Sequence, residues 1–126
     1  MTLDARSLRR LEGVHPDLVR VVKAAAEGMP FIVTEGLRTP EKQARLVEAG
    51  ASQTLRSRHL TGHAVDLAVL VDGDVRWDWP LYEKLAEHVK KTASLLVPPV
   101  PVEAGADWKM RDGPHFQLPR TLYPAS

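Results

Sequence analysis

Two short segments of the chain contain residues of the types that bind metals. The sequence SRHLTGHAVD covers residues 57–66, and HFQL covers residues 115–118. The chain has no cysteine, so disulfides, thiolate metal sites and a cysteine nucleophile are excluded. Any metal ligands must be His, Asp or Glu. Two imidazoles and one carboxylate with an open fourth position are typical of a catalytic zinc site.

The first segment leads into AVDLAVLV, residues 64–71, which is the strongest strand signal in the chain. Side chains alternate along a strand, so Asp66 lies opposite the large apolar residues and between two alanines. A lone buried carboxylate is costly, and its small neighbours leave space that a metal could fill. HFQL repeats the pattern, with His115 and Gln117 facing away from the core. If both strands belong to one sheet, Asp66 and His115 can meet on one surface.

A third ligand could come from the loop that enters this strand, where His59 stands. His59 and His63 form an HxxxH pair, but the zincin motif needs a helix and a Glu directly after the first His. Leu60 occupies that place, and Gly62 weakens a helix. His63 is left as either a supporting residue of the site or an ordinary packed side chain.

Hydrolysis at such a centre needs a base and a positive charge. Asp112 stands three residues before His115 and is separated from it by Gly-Pro, so a turn would bring the two side chains together. A carboxylate there could take a proton from water and hand it to a leaving amine. Arg38 follows the apolar segment FIVTEGL and is the best candidate to stabilise an oxyanion.

The elements that must position these residues are predicted from periodicity, caps and turns. Helices are expected over residues 4–11, 15–28, 39–50 and 80–96, and strands over 31–37, 64–71, 75–77 and 115–118. Residues 51–63 are predicted to form a loop and residues 97–106 a Pro-rich connector. Helices mixed with hairpin-linked strands predict an α+β fold, with a small antiparallel sheet flanked by helices.

The length, composition and charge of the chain limit the classes of function that are plausible. The chain has 126 residues, 44% hydrophobic and 26% charged, which fits one domain over residues 1–126. A formal net charge of +1 gives no strong attraction to nucleic acid or to an anionic membrane. The N-terminus has no apolar signal-peptide region, and no stretch approaches the roughly 20 apolar residues of a membrane span. We therefore expect synthesis in the cytoplasm, and a monomer by default.

Three motifs resemble those of the zinc D-Ala-D-Ala carboxypeptidase-like superfamily. SRHLTGHAVD is similar to its SxHxxGxAxD signature, DGPHFQL to its second motif, and EGLRTPEKQ to the segment ahead of the site. They occur in the right order over residues 31–118. The resemblance implies a hedgehog- or DD-peptidase-like single domain holding one Zn²⁺.

The resemblance also implies roles for individual residues. His59 rather than His63 becomes the third zinc ligand, beside Asp66 and His115. Asp112 becomes the catalytic base, and Arg38 the arginine that contacts substrate or transition state. Substrate-binding or supporting roles fall to four further residues: Gln43, Ser57, His63 and Trp108.

Within that superfamily the chain looks most like the phage L-alanyl-D-glutamate endopeptidases, a class of endolysin. AGADWKMRDGPHF resembles their GGDWxxxxDxPHF segment, and the base position holds Asp where carboxypeptidases usually have Glu. Ala104-Gly105-Ala106 stands where these endolysins often have Trp-Gly-Gly. The resemblance implies cleavage of peptidoglycan stem peptides in the periplasm, without a separate wall-binding domain. Synthesis in a host cytoplasm without a signal peptide would then require a holin or a similar export route.

Two alternatives stay open. A D,D-carboxypeptidase or D-Ala-D-Ala dipeptidase would keep the chemistry and change the bond. A catalytically inactive zinc-binding interaction module, as among hedgehog-like relatives, would keep only the metal. Asp112 argues against the second alternative, because a module without activity has no need of a base. Arg38, Gln43 and Asp112 also have plain structural interpretations, as a salt-bridge partner, a solvated helix residue and a turn former.

Overall fold

A computed structural model describes residues 3–52 and 57–124 of the chain. The described residues form four helices and five strands, with two short 3₁₀ helices in the connections. The helices are α1 (Ala5–Arg10), α2 (Pro16–Ala25), α3 (Pro40–Glu48) and α4 (Trp79–Leu95). The strands are β1 (Phe31–Glu35), β2 (Ala64–Val71), β3 (Asp74–Arg76), β4 (Glu103–Ala104) and β5 (His115–Gln117). The 3₁₀ helices cover Arg58–Thr61 and Gly105–Asp107.

The strands form one antiparallel sheet in the order β1-β2-β5-β4, with β3 also paired to β2. β2 is the longest strand and pairs with three others, which makes it the axis of the fold. The tight turn at Asp72 and Gly73, both with positive φ, sends the chain back as β3. The predicted α+β class with an antiparallel sheet is therefore confirmed.

The apolar core lies between one face of this sheet and two helices, α2 and α4, which also contact each other. Val65, Leu67 and Phe116 supply the sheet side and are fully buried. Leu18 on α2 and Leu85 on α4 are equally buried. Removing such side chains from water provides the main favourable free energy of folding, about 1.5 to 3 kcal/mol each. The opposite face of the sheet is left for the polar residues that the alternation predicted.

The outer edge of β1 is covered by α1. The fully buried Ser7 accepts a hydrogen bond from the backbone N–H of Val33 at 2.9 Å. The Arg10 guanidinium donates to the carbonyl of the same residue at 3.0 Å. An uncovered edge strand is a template for aggregation, and α1 removes that hazard by satisfying these backbone groups. It also fixes the strand that leads to Arg38.

Two sequence predictions about connections were wrong. Residues 51–63 were expected to form a plain loop, but Arg58–Thr61 form a 3₁₀ helix. Residues 97–106 were expected to form only a connector, but Glu103–Ala104 join the sheet as β4 beside β5. Both elements are too short to show a periodic pattern, and both depend on tertiary partners. Residues 53–56 of the predicted loop lie outside the described residues. No helix of the described chain has the length and apolar character needed to cross a bilayer.

Candidate metal centre

Asp66 and His115 are brought together by strand register. Asp66 on β2 and His115 on β5 are direct cross-strand partners, so their side chains project from the same face of the sheet. His115 Nδ1 lies 3.2 Å from Asp66 Oδ1. The strand alternation predicted the shared face, and the pairing of β2 with β5 supplies the contact.

His59 reaches the same carboxylate oxygen from the first 3₁₀ helix. Ser57 caps this helix by accepting a hydrogen bond from the His59 N–H at 3.2 Å. Gly62 ends it with φ of +74°, and a Cβ at that position would lie 2.3 Å from the carbonyl oxygen of Gly13. Only glycine suits both conditions. The result is that His59 is 2% exposed, with its Nε2 atom 3.2 Å from Asp66 Oδ1.

Hydrogen bonds on the far side of each ring fix the tautomers. His59 Nδ1 lies 2.8 Å from the carbonyl of Gly36, which only accepts, so Nδ1 carries the proton. The amide of Gln117 donates to Glu103 Oε1 at 2.9 Å, which turns its own oxygen toward His115 Nε2 at 2.8 Å. His115 therefore donates from Nε2. Both neutral rings then direct a lone pair at Asp66 Oδ1.

Three acceptor atoms that converge in this way need protons or a metal ion between them. The ligand atoms of His59, Asp66 and His115 all lie within 4.8 Å of one another. In a tetrahedral zinc site with bonds of about 2.0 to 2.1 Å, neighbouring ligand atoms are about 3.3 Å apart. The two contacts of 3.2 Å to Asp66 match that spacing. The donor set and its geometry therefore fit one zinc ion.

The ionisation states of Asp66 and His115 depend on each other. When protons rather than a metal occupy the cluster, burial opposes ionisation of Asp66, but hydrogen bonds from His115 and His59 and their charges outweigh it and hold its pKa well below the usual range. Burial likewise opposes protonation of His115, yet the contact with Asp66 raises the pKa of His115 above its ordinary value. An ionised carboxylate in a largely buried place is the state that binds a metal.

The cluster lies in a cleft of about 540 Å³, whose lining includes Asp112 and Trp108. Two backbone hydrogen bonds close the turn that carries Asp112. The Asp112 N–H donates to the Gly105 carbonyl, and the His115 N–H donates to the Asp112 carbonyl. A Cβ on Gly105 would lie 2.2 Å from the Asp112 carbonyl oxygen, so this approach also needs glycine. The Trp108 ring is centred 5.1 Å from that of His115.

The electrostatics of Asp112 suit proton exchange. Desolvation of its carboxyl group and the negative charge of Asp66 raise the pKa of Asp112 above the ordinary aspartate value. A carboxylate with a raised pKa is a better proton acceptor at neutral pH than an ordinary one. The sequence placed this residue beside His115, and the structure places both on one cleft.

Arg38 lines the same cleft and is held in a polar network. Its guanidinium donates to Gln43 Oε1 at 2.7 Å and forms an ion pair with Glu35, whose other oxygen lies 2.6 Å from Lys42 Nζ. Gln43 is 1% exposed and donates to Ser52 at 2.9 Å. Arg38 Nε is buried without an acceptor among the described residues.

The sequence analysis did not consider two acids, and the structure favours the packed interpretation of one histidine. Glu35 and Glu103 were not considered, although Glu35 lies in the segment EGLR just ahead of Arg38. The structure does not bring His63 to the cluster. Its Nδ1 lies 2.7 Å from Thr61 Oγ1, and its ring is 5.5 Å from that of His15, outside the residues that line the cleft.

Comparison with known proteins shows the family to which the chain belongs. The family model described as phage L-alanyl-D-glutamate peptidase matches residues 1–123. The chain belongs to that family. It is 38% identical over 94 residues to the L-alanyl-D-glutamate peptidase of Listeria phage A118, covering 74% of this chain and 32% of that relative. It is 27% identical over 127 residues to the L-alanyl-D-glutamate peptidase of Escherichia phage T5. That match covers 93% of this chain and 88% of the relative.

A solved structure extends the family likeness to the fold. The Serratia marcescens L-Ala D-Glu endopeptidase ChiX is 51% identical, with a TM-score of 0.89 over 96% of this chain and 92% of that one. The chain therefore spans about a third of the Listeria phage relative but nearly all of ChiX. The predicted membership of the L-alanyl-D-glutamate peptidase family is confirmed, and so is the predicted fold.

Proposed function

We propose that this member of the family is a zinc-dependent peptidase that hydrolyses the L-Ala–D-Glu bond in peptidoglycan stem peptides. The observation that carries the proposal is the convergence of two imidazoles on the Asp66 carboxylate, in a cleft whose lining also includes Asp112. His59, Asp66 and His115 are the proposed ligands of one ion. The names of the family relatives and of ChiX support the choice of bond.

The roles of the other residues follow from their positions. When bound, zinc lowers the pKa of a ligated water and polarises the scissile carbonyl. Asp112 would take a proton from the attacking water and deliver it to the amine of D-Glu as that amine leaves. Arg38, fixed by Glu35 and Gln43, offers positive charge where the carbonyl oxygen becomes negative.

Two supporting roles belong to the same proposal. Ser57 holds the 3₁₀ helix that presents His59. Trp108 forms a wall of the cleft beside His115 and limits water access to it. His63 has no contact with the cluster that would give it a role in catalysis.

The setting in the cell is also part of the proposal. Residues 1–126 act as one peptidase domain and as a monomer. The protein is made in a host cytoplasm and reaches the wall in the periplasm through a holin or a similar route. The peptidoglycan substrate is supported by the names of the family relatives.

Mass spectrometry of digested peptidoglycan tests the proposed bond. Cleavage between L-Ala and D-Glu leaves L-Ala on the glycan and releases peptides with a free N-terminal D-Glu. Loss of terminal D-Ala instead would establish a D,D-carboxypeptidase or dipeptidase. Binding of zinc with no product at all would favour an inactive zinc module.

Two controls test the mechanism in the same assay. A chelator should abolish release, and added zinc should restore it. Asp112→Asn should keep the metal and lower kcat by about 10² to 10⁴-fold, as expected for the loss of a general base. Full activity of Asp112→Asn would rule out the assigned base.

A further inference from the structure

The turn that carries Asp112 lies against the beginning of α4. Its two neighbours in the chain, Arg111 and Gly113, both lie close to the ring of Trp79, the first residue of that helix. Asp112 itself lines the cleft. The proposed base therefore stands between two residues that pack on the same aromatic side chain.

Arg111 makes three contacts that direct its side chain toward α4. Its guanidinium carbon lies 4.0 Å from the centre of the Trp79 ring, and a terminal nitrogen lies 3.6 Å from Glu83 Oε2. Its Nε donates to the Ala106 carbonyl at 3.1 Å. A guanidinium over an indole ring is attracted by the negative face of that ring. Arg111 thus joins its segment both to α4 and to the second 3₁₀ helix.

Gly113 brings the backbone on the other side of Asp112 against the same helix. It is buried, and a Cβ at this position would lie 3.1 Å from Tyr82 Cβ and 3.3 Å from Trp79 Cζ3. Tyr82 is 2% exposed, and its hydroxyl accepts from a backbone N–H of β2 at 3.0 Å and donates to a backbone carbonyl of β3 at 2.7 Å. The surface on which Gly113 packs is therefore anchored to the sheet.

Sheet topology explains why α4 begins beside this turn. β3 and β5 both lie on the side of β2 away from β1, because Val69 pairs with β1 and β3 while Asp66 pairs with β1 and β5. Between these two positions, the Leu67 N–H donates to the Pro114 carbonyl at 2.8 Å. The chain that leaves β3 for α4 therefore meets the chain that enters β5.

We propose that Trp79 and Arg111 are positioning residues for Asp112, and that their contact holds the turn so that its carboxyl group faces the cleft. The inference rests on the proposed function, because that function assigns Asp112 as the base. A base that takes a proton from water and passes it to an amine must stay within hydrogen-bond reach of both. Misplacement by about 1 Å can cost about 100-fold in rate, so contacts remote from the reacting atoms can set kcat.

Steady-state cleavage of the L-Ala–D-Glu bond by the zinc-loaded protein tests the inference. Trp79→Leu should lower kcat by about 10 to 100-fold with little change in KM, since the base is displaced and substrate contacts are kept. Trp79→Phe keeps an aromatic face and should recover most of kcat. Arg111→Gln should lower kcat by about two to fivefold, the size of an exposed cation–π contact, and Arg111→Lys should lower it less.

Two matched controls make the same chemical changes nearby. Trp77→Leu removes the other tryptophan of this surface, which is 60% exposed and has its ring centre 5.7 Å from that of Tyr82. Lys109→Gln removes a positive charge from an exposed side chain three residues before Asp112. Both should keep the wild-type kcat. An equal loss in Trp77→Leu and Trp79→Leu would show a general effect of this surface and overturn the inference.

A double-mutant cycle with Asp112 separates positioning from a general structural effect. If Trp79 acts through Asp112, Trp79→Leu should change kcat little once Asp112→Asn has removed the base. Equal losses in the two backgrounds would show that Trp79 acts elsewhere. If Trp79→Leu lowers the Tm or the zinc affinity, the same cycle with Arg111→Gln decides, because the Arg111 side chain is exposed.

Amide hydrogen exchange gives a readout that does not require turnover. The Asp112 N–H donates to the Gly105 carbonyl at 3.0 Å, and this bond helps to close the turn. In zinc-loaded Trp79→Leu and Arg111→Gln this amide should exchange faster than in wild type, because local opening becomes more frequent. The Val33 amide, which donates to Ser7 at the far edge of the sheet, should be unchanged.

The outcomes separate the two proposals. If the wild-type protein does not cleave the L-Ala–D-Glu bond, or if Asp112→Asn is fully active, the proposed function fails. If Asp112→Asn loses activity while Trp79→Leu and Arg111→Gln keep the wild-type kcat and the wild-type exchange of the Asp112 amide, the function stands and the positioning role is wrong.

Discussion

At the scale of single residues, the metal centre depends on groups that contact no metal ligand atom directly. His115 keeps its tautomer because Gln117 accepts from Nε2, and Gln117 keeps its orientation because Glu103 accepts from its amide. A carboxylate, an amide and an imidazole thus form a chain that ends at Asp66. Such outer partners orient a ligand ring and raise its basicity.

Removal of Gln117 should weaken metal binding. Gln117→Ala leaves His115 without its acceptor, and we expect zinc affinity to fall by about 10 to 100-fold. Competition with a fluorescent chelator measures this without any turnover. Glu103→Gln keeps a side-chain oxygen that can accept from Gln117, so its effect should be smaller. Equal zinc affinity in wild type and Gln117→Ala would contradict the role given to this chain of hydrogen bonds.

At the scale of elements, a 3₁₀ helix and the edge strand β1 decide where His59 and Arg38 stand. The 3₁₀ helix presents His59, and its end at Gly62 packs on the backbone of Gly13. β1 leads into Arg38, and α1 covers its free edge. Changes in either place should affect stability through backbone geometry rather than through the core.

Gly62→Ala should be clearly more destabilising than Gly50→Ala. Both glycines have positive φ, +74° and +77°, so both substitutions carry a left-handed backbone cost of about 1 to 2 kcal/mol. A Cβ at Gly62 also meets the Gly13 carbonyl oxygen at 2.3 Å, whereas nothing lies within 4 Å of one at Gly50. Urea unfolding of both variants measures the difference. Equal free energies of unfolding in the two variants would show that the Gly13 carbonyl can move away from the new Cβ without loss of stability.

Ser7→Ala should destabilise the protein by about 1 to 3 kcal/mol, because it leaves the buried N–H of Val33 without an acceptor. Ser94→Ala is the matched control. Ser94 is exposed on α4, and its hydroxyl donates only to the Lys91 carbonyl within the same helix. Thermal unfolding should show a lower Tm for the first variant and almost no change for the second.

The N-cap of α1 should make stability depend on pH. Hydrogen bonds from Ser7 lower the pKa of Asp4, so the folded state favours the carboxylate. This contribution is present above the unfolded pKa of about 3.9 and is lost as pH falls through the lower folded value. Asp4→Asn keeps a capping acceptor, so its stability should fall less between pH 5 and pH 3. If the free energy of unfolding fell equally with pH in wild type and Asp4→Asn over that range, the linkage would be contradicted.

At the scale of the whole molecule, a metal bound at the candidate centre would link the sheet to the 3₁₀ helix. His59 precedes β2, Asp66 lies on β2, and His115 comes from β5 near the end of the chain. An ion held by all three ties together segments that lie 56 residues or less apart in sequence but meet only in the folded state. Metal binding should therefore stabilise the whole fold.

Added zinc should raise the Tm of the metal-free protein. A ligand at 100 times its Kd adds about 2.7 kcal/mol to the free energy of unfolding if it binds only the folded state. Calorimetry with and without zinc measures the shift, and magnesium, which prefers oxygen ligands, serves as control. In His59→Ala the zinc-dependent increase should be lost or strongly reduced. An unchanged increase in this variant would remove His59 from the ligand set.

Much of the site could be predicted from the sequence. Alternation in AVDLAVLV and HFQL put Asp66 and His115 on the polar face of their strands, and turn chemistry put Asp112 next to His115. Caps and apolar periodicity located all four helices, with ends that differ by a few residues. These features are local, because they depend on residues within a few positions of one another.

The tertiary structure decided everything that depends on distant partners. The register of β2 with β5 makes Asp66 and His115 neighbours, the Gly62 contact with Gly13 brings in His59, and β4 exists because Glu103–Ala104 pair with β5. Glu35 and Glu103 could not be found from spacing, since their partners are set by packing. The sequence alone determined which residues could hold a metal, and only the fold decided which of them meet, because convergence of side chains depends on long-range pairing that no local pattern encodes.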